Sequence, residues 1–105
     1  MLYVLNTPIL TDYGEYEFFK IDLEDAKELL LTEKFVSAVG HESTANFLSK
    51  LLTLSVPTNR IAIHMGAGDC AIVFRLLSRL PEGVILTLEE IEKIRYEIGF
   101  LRRDS

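Results

Sequence analysis

The chain has 105 residues, of which 49% are hydrophobic, so its length and composition predict one folded domain with a modest core. It lacks an apolar run near the roughly 18 residues of a membrane span, and its first residues lack the basic leader of a secretory signal, so we expect cytoplasmic residence. The net charge of −5 argues against duplex DNA as a partner, because DNA binding requires many phosphate-neutralising lysine and arginine side chains.

The first third of the chain predicts two strands followed by a helix. Residues 2–5 form a continuous apolar run, which is typical of a central strand covered on both faces. Residues 16–21 are rich in aromatic side chains and predict a second strand. Asp22 is a good helix N-cap, and the apolar spacing after it predicts a helix as far as about residue 32. We expect residues 33–39 to form a short helical turn.

The middle of the chain predicts one more helix and two strands. Gly40 interrupts the helical spacing, and a helix is expected from residue 42 to about residue 54. Residues 60–65 alternate between apolar and polar side chains, which predicts a half-buried strand. The glycines of residues 66–69 indicate a hairpin turn into a strand over residues 70–77, whose apolar side chains on both faces favour a central position.

The end of the chain predicts a third helix, and the order of the elements predicts the fold class. Thr87 and Glu90 form a capping box, so a helix is expected over residues 88–98 with Gly99 as its C-cap. The resulting order β-β-α-α-β-β-α predicts an α/β domain with a mixed sheet of four or five strands packed with helices. The apolar content is high for this length, so we expect a symmetric homodimer that buries part of it.

The stretch Gly40-His41-Glu42-Ser43-Thr44 is the first candidate for a functional site. A helix begins directly after the glycine, and the free N–H groups of a helix N-terminus suit a phosphate group. The hydroxyls of Ser43 and Thr44 add donors, and a histidine such as His41 exchanges a proton near neutral pH. The pattern also fits an ordinary helix cap with a surface histidine, so the residue types alone leave both interpretations open.

Three other places are weaker candidates. Arg79 and Glu82 follow the end of a central strand, where they could clamp a phosphate and orient a hydroxyl, although a solvated loop with a local ion pair is the favoured alternative. Asn6 and Thr7 end the first strand, where they either contact a ligand or form an ordinary turn. Arg60 either binds an anion or points to solvent.

The residue types predict no metal site, no cofactor and no catalytic triad. His41 and His64 are the only two histidines, and no carboxylate or histidine at metal-binding spacing accompanies them. His64 lies in a predicted strand, and we expect a structural role for it. Cys70 is the single cysteine, which excludes an internal disulfide, and we expect it to be a small core residue.

Five segments together resemble the viral ring nucleases that act as anti-CRISPR proteins against type III systems. They are Asn6 at the end of the first strand, Gly40–Thr44 before a helix, Asn59-Arg60, residues 79–83 (RLPEG) and residues 85–91 (ILTLEEI). The resemblance covers nearly the whole chain. Its most specific parts are the histidine at the helix start and the two segments near the C-terminus.

The resemblance implies a dimeric α/β fold that encloses cyclic tetra-adenylate between two subunits and cleaves it, without a metal, into linear di-adenylates. It implies that His41 is catalytic, that Glu82 supports it, and that the protein acts in the cytoplasm of an infected host cell. It also implies structural or ligand contacts at four further places, which are Asn6, Ser43–Thr44, Arg60 and Arg79.

Three other classes of function are alternatives to an enzyme, and one of them is a structural or interaction protein with no ligand. A non-catalytic nucleotide-binding or regulatory protein would sequester the messenger or regulate viral or host proteins. A transcription factor would need a basic recognition surface, and the helix predicted over residues 42–54 offers only Lys50.

Overall fold

Strands and helices alternate along most of the chain in a computed structural model that describes residues 1–7, 12–77 and 87–105. The elements within those residues are β1 (Leu2–Leu5), β2 (Tyr16–Lys20), α1 (Leu23–Thr32), β3 (Phe35–Ser37), α2 (Glu42–Leu52), β4 (Cys70–Leu76), α3 (Leu88–Glu92) and β5 (Tyr96–Arg103). None of these helices has the length and apolar character that crossing a membrane requires.

The strands form one mixed sheet in the order β2-β5-β4-β1-β3, which confirms the predicted fold class and the central position of β4. β1 runs parallel to both of its neighbours, β3 and β4. β5 runs antiparallel to β4 and to the edge strand β2. The carboxyl ends of β3, β1 and β4 therefore meet at one edge of the sheet, which is where ligands bind in many α/β folds.

The two faces of the sheet carry two separate hydrophobic clusters because β4 is buried on both sides. Ile72 and Phe74 pack on one face with Phe47 and Leu48 of α2. The opposite face carries a smaller cluster, and within residues 1–7, 12–77 and 87–105 it is covered by an irregular segment and not by a helix. Its buried members are Leu5, Met65, Ala71, Val73 and Leu101.

Residues 33–39 do not form the predicted helical turn, because Phe35–Ser37 is the edge strand β3. β3 pairs with β1 in parallel register, with Phe35 opposite Leu2 and Ser37 opposite Val4. The prediction was wrong because a three-residue strand has too short a sequence pattern to be recognised. The conformation of residues 35–37 is decided by the unpaired backbone groups of β1, which lie far away in the sequence.

The strand predicted over residues 60–65 is also wrong, since this segment is irregular and makes no ladder with the described strands. Two of the three apolar residues that the alternation places on one face do lie inward, because Met65 is buried and Ile63 packs against the smaller cluster, whereas Ile61 is exposed. Residues 66–69 do form a turn, closed by the Asp69 N–H donating to the Gly66 carbonyl. The turn is not a hairpin, because the segment before it does not pair with β4.

The third helix is shorter than predicted, and the chain returns to the sheet after it. The predicted capping box of Thr87 and Glu90 is present, but α3 ends at Glu92 and β5 begins at Tyr96. Gly99 is therefore a strand residue and not a helix cap. The ring of Phe18 on β2 lies so close to Gly99 that a Cβ there would have no room. The observed order of elements is β-β-α-β-α-β-α-β.

Candidate functional site

The carboxyl ends of β1 and β3 meet the N-terminus of α2, and this junction gathers candidates that are far apart in the sequence. β1 ends at Leu5, so Asn6 and Thr7 leave the sheet there. β3 ends at Ser37 and runs beside β1 in the same direction. The chain stays beside β1 for one more residue, since the Ala38 N–H donates to the Val4 carbonyl at 2.9 Å. It then reaches His41, at the start of α2, three residues later.

No side chain in the described part of the protein caps the N-terminus of α2. His41 occupies the N-cap position with an extended backbone (φ −115°, ψ 128°), and its side chain makes no capping hydrogen bond. The first bond of the helix runs from the Ala45 N–H to the His41 carbonyl at 3.0 Å. The N–H groups of residues 42–44 come before that bond, so none of them has an acceptor within the helix.

The other two helices of the described residues begin differently, because each has a side-chain cap. Asp22 accepts from the Asp25 N–H at the start of α1, and Thr87 accepts from the Glu90 N–H at the start of α3. The uncapped start of α2 leaves its N–H donors and the positive end of the helix dipole available to an anion.

Three side chains of the Gly40–Thr44 stretch differ in exposure. His41 is exposed, and its imidazole makes no hydrogen bond with any residue in the described part of the chain. Ser43 is half-buried, and Thr44 is only 7% exposed. A ligand at this helix end can therefore reach the imidazole directly, whereas the side chain of Thr44 is mostly enclosed by the protein.

Arg60 is held against the turn that precedes α2. Its Nε and Nη2 atoms both donate to the Gly40 carbonyl, at 3.2 and 3.1 Å. The side chain is nevertheless exposed, and a guanidinium carries five N–H donors, so further donors are available to an anion. The sequence left open whether Arg60 binds an anion or points to solvent. The structure shows that the guanidinium is tied to the residue before His41.

A cavity of about 210 Å³ lies beside this junction. Its lining residues are Leu5, Asn6, Thr7, Ala38, Ile61, Ala62 and Ile63. The walls are apolar, and the amide of Asn6 and the hydroxyl of Thr7 are the polar groups among the described lining residues. This combination suits a flat heteroaromatic group that needs apolar contact and one or two hydrogen bonds. Sequence reasoning missed the contribution of residues 61–63, since it assigned them to a strand.

A larger cavity, of about 400 Å³, lies between α1 and the end of the sheet formed by β2 and β5. Its floor includes Phe19 and Phe100, and its charged lining residues are Asp25 and Glu28. Two carboxylates would repel a phosphate, so the electrostatics favour the smaller cavity as the place for an anionic ligand.

The remaining candidates lie outside this junction or outside the described residues. Arg79 and Glu82 belong to residues 78–86, which the structure does not describe. His64 is exposed, and its Nδ1 atom lies 3.0 Å from Oδ2 of Asp12. No group of three or more histidine, cysteine or acidic side chains could hold a metal ion within the described ranges. Burial raises the pKa of Cys70, which is half-buried at the start of β4.

Comparisons with known proteins relate the whole chain to small proteins of archaeal viruses. The sequence profile of the STIV B116-like proteins matches residues 2–98. Uncharacterized protein 26 of Sulfolobus islandicus filamentous virus is 44% identical and covers 93% of this chain, with 87% of its own length matched. Uncharacterized protein ORF117 of Acidianus two-tailed virus is 37% identical, with 98% of this chain and 93% of its own length matched.

Two further matches extend the comparison to structure and to a bacterium. The structure of B116 of Sulfolobus turreted icosahedral virus superposes with a TM-score of 0.84 at 25% sequence identity, and the match covers 97% of this chain and 98% of that one. Uncharacterized protein YddF of Bacillus subtilis is 39% identical, with 94% of both chains matched. The fold is therefore shared by viral and bacterial proteins whose names state no activity.

Proposed function

The chain belongs to the STIV B116-like family, and we propose that it is a metal-independent ring nuclease that cleaves cyclic tetra-adenylate into linear di-adenylates. The observation that carries the proposal is the uncapped N-terminus of α2, which has an exposed histidine, His41, at its first position. In an infected host cell this activity would remove the messenger of type III CRISPR signalling. The relatives in archaeal viruses support that setting.

The first step of the proposed reaction is phosphate binding at the start of α2. Three N–H groups without helical acceptors converge there, and the helix dipole places partial positive charge at the same point. The guanidinium of Arg60 adds a full positive charge next to Gly40. This local charge explains how a protein with a net charge of −5 can bind a polyanion.

The second step is recognition of an adenine base in the cavity beside Asn6 and Thr7. Its volume of about 210 Å³ is sufficient for one base, and its apolar walls match the faces of a purine. Ala38 lines this cavity and lies three residues before His41. At about 3.3 Å per extended residue, the Cα atoms of Ala38 and His41 lie within about 10 Å of each other. That separation allows one nucleotide to place its base and its phosphate in the two sites.

The third step is the chemistry, in which the RNA supplies its own nucleophile. The 2′-hydroxyl gives its proton to solvent water as its oxygen forms a bond to phosphorus, the bond from phosphorus to the 5′-oxygen breaks, and the imidazolium of His41 gives its proton to that leaving oxygen. The step leaves a 2′,3′-cyclic phosphate on one side of the cut and a 5′-hydroxyl on the other. General acid catalysis of this kind contributes about 10²–10⁴-fold to a rate. The N–H groups of α2 would stabilise the charge that develops on the phosphoryl oxygens. By resemblance, Glu82 orients His41 or the 2′-hydroxyl, and Arg79 contacts the ligand.

The symmetry of the ligand supports a homodimer as the active form. A ring of four identical nucleotides accepts a two-fold axis, and so does a pair of identical chains. One His41 from each subunit at opposite phosphates would divide the ring into two equal halves. Sedimentation velocity at micromolar concentration should show a dimer, and a monomer in the presence of the ligand would contradict this part of the proposal.

A non-catalytic binding protein is the second candidate, and one observation favours it. No described residue orients the imidazole of His41, whereas a general acid is commonly held by a second side chain. The helix start, Arg60 and the cavity would all serve a protein that only sequesters the messenger.

Incubation of the protein with cyclic tetra-adenylate in excess EDTA, followed by chromatography, distinguishes the two candidates. The wild-type chain should produce linear di-adenylates, and His41→Ala should lose at least about 10²-fold in rate while it still binds the ring. His64→Ala is the matched control, because it removes the other histidine of the chain from an exposed position paired with Asp12. A wild-type protein that binds without cleaving would establish the binding protein, and full activity in His41→Ala would refute the proposed chemistry.

A further inference from the structure

A short hydrogen-bonded segment, residues 57–60, lies on the other side of β3 from β1, beside the residues that lead into His41. We propose that Asn59 is a positioning residue, which fixes the turn between β3 and α2 so that the imidazole and the first N–H groups of α2 face the same phosphate. This inference rests on the proposed function. It assigns a role to a residue that does not belong to the cavity or to the helix start.

Asn59 contacts the backbone of the β3 end at two places. Its Nδ2 atom donates to the Ser37 carbonyl at 2.8 Å, and its own backbone N–H donates to the Val39 carbonyl at 2.8 Å. β3 is the outermost described strand on its side of the sheet, so the carbonyls on its outer side pair with no other described strand. Asn59 therefore supplies the donors that a further strand would supply, but only over the residues that lead into His41.

Ser37 closes the same network from within the protein. Its side chain is buried, with 4% exposure, and its Oγ donates to the Pro57 carbonyl at 2.7 Å. The same Oγ accepts from the Val39 N–H at 3.3 Å. Because Ser37 and Asn59 are separated by 22 residues, these bonds join two distant segments and not a local turn.

The network continues to the residue before His41. Residues 57–60 lie along residues 37–40, and the last contact is the bond from the Arg60 guanidinium to the Gly40 carbonyl. Since His41 has no capping bond of its own, the contacts around residues 37–40 determine where its side chain begins. A displacement of about 1 Å between reacting groups costs on the order of 10²-fold in rate, so the network is well placed to control catalysis.

Asn59→Ala removes the Nδ2 donor, and Asn46→Ala is its matched control. Asn46 is an exposed asparagine on α2. Its replacement therefore removes an amide side chain near the site but leaves the hydrogen bonds between residues 37–40 and 57–60 intact. We expect Asn59→Ala to lower kcat for cyclic tetra-adenylate by about 10²-fold, with a much smaller change in KM, and Asn46→Ala to retain wild-type values. Equal effects of the two variants on kcat would overturn the inference.

A second measurement does not depend on activity. The imidazole carbon and proton signals of His41 in the ligand-free protein should shift or broaden in Asn59→Ala, while those of His64 stay unchanged. If the wild-type chain cleaves nothing, the proposed function fails, whereas unchanged His41 signals in Asn59→Ala overturn the positioning role by itself. If Asn59→Ala does not fold, Ser37→Ala is the second variant, because it removes the adjoining hydroxyl of the same network. It should shift the same His41 signals. A folded Ser37→Ala protein with unshifted His41 signals also refutes the inference.

Discussion

Replacement of Gly40 by alanine tests separately whether the stability of the fold and the binding of a ligand require a glycine at this position. The φ angle of Gly40 lies outside the left-handed region, so an alanine adopts the same backbone without strain. A Cβ at this position would meet Cγ of Arg60 at 3.5 Å and its Nε at 3.7 Å, which are ordinary contact distances. Because alanine restricts the unfolded chain, we expect the free energy of unfolding to rise by about 0.4–1 kcal/mol.

Urea unfolding followed by circular dichroism measures this change, with Gly68→Ala as the control. Gly68 has a φ of +87°, and a Cβ there would meet no atom within 4 Å, so its replacement has only a backbone cost of about 1 kcal/mol or more. The two variants should therefore shift the transition midpoint in opposite directions. A Gly40→Ala protein that is less stable than the wild type would refute the reasoning about its backbone.

The same variant tests the ligand site, because Gly40 adjoins the helix end where we place the phosphate. We expect Gly40→Ala to bind cyclic tetra-adenylate more weakly although it is more stable. Unchanged affinity would show that this glycine takes no part in ligand binding.

Four other substitutions have expected outcomes in the same unfolding experiments. Asp22→Ala removes the cap of α1 and should lower the free energy of unfolding by about 1 kcal/mol, whereas His41→Ala removes no capping bond and should stay within about 0.5 kcal/mol. The Gly66 N–H holds the pKa of Asp69 below its usual value, so the ionised carboxylate stabilises the fold above its unfolded-state pKa. The stability gap between the wild type and Asp69→Asn at pH 7 should therefore close below about pH 4, and a constant gap down to pH 2 would contradict this. Thr53 ends α2 with a φ of 55°, which is strained for a β-branched residue, so Thr53→Gly should raise the free energy of unfolding by about 1 kcal/mol.

Local sequence signals predicted the helix starts and the buried strands correctly. Asp22 and the Thr87–Glu90 pair cap their helices as predicted, because each cap joins groups only three residues apart. Cys70–Leu76 is the central strand, since a run that is apolar on both sides requires cover on both faces of a sheet. These features need no information about the rest of the chain.

The errors fall where a distant partner decides the conformation. Phe35–Ser37 and Tyr96–Arg103 are strands because neighbouring strands offer unpaired backbone groups to them, and the short helix α3 ends before the predicted boundary for the same reason. Residues 60–65 have the alternation of a strand but pack across a sheet face without pairing. Residues 35–37 and 96–98 were wrongly assigned to helices, and residues 60–65 were wrongly assigned to a strand, because a hydrophobic pattern does not identify the hydrogen-bond partner of the backbone.

The candidate site was likewise predicted from local sequence signals only in part. Its residue types and its helix start follow from the sequence, because a histidine before a predicted helix is visible in the local pattern. Only the tertiary structure brings Asn6 beside the β3 end, ties Arg60 to Gly40 and exposes His41 at an uncapped helix. The physical reason is that parallel pairing of β1 and β3 and the bonds between residues 37–40 and 57–60 join segments that are remote along the chain. No local sequence preference specifies those contacts.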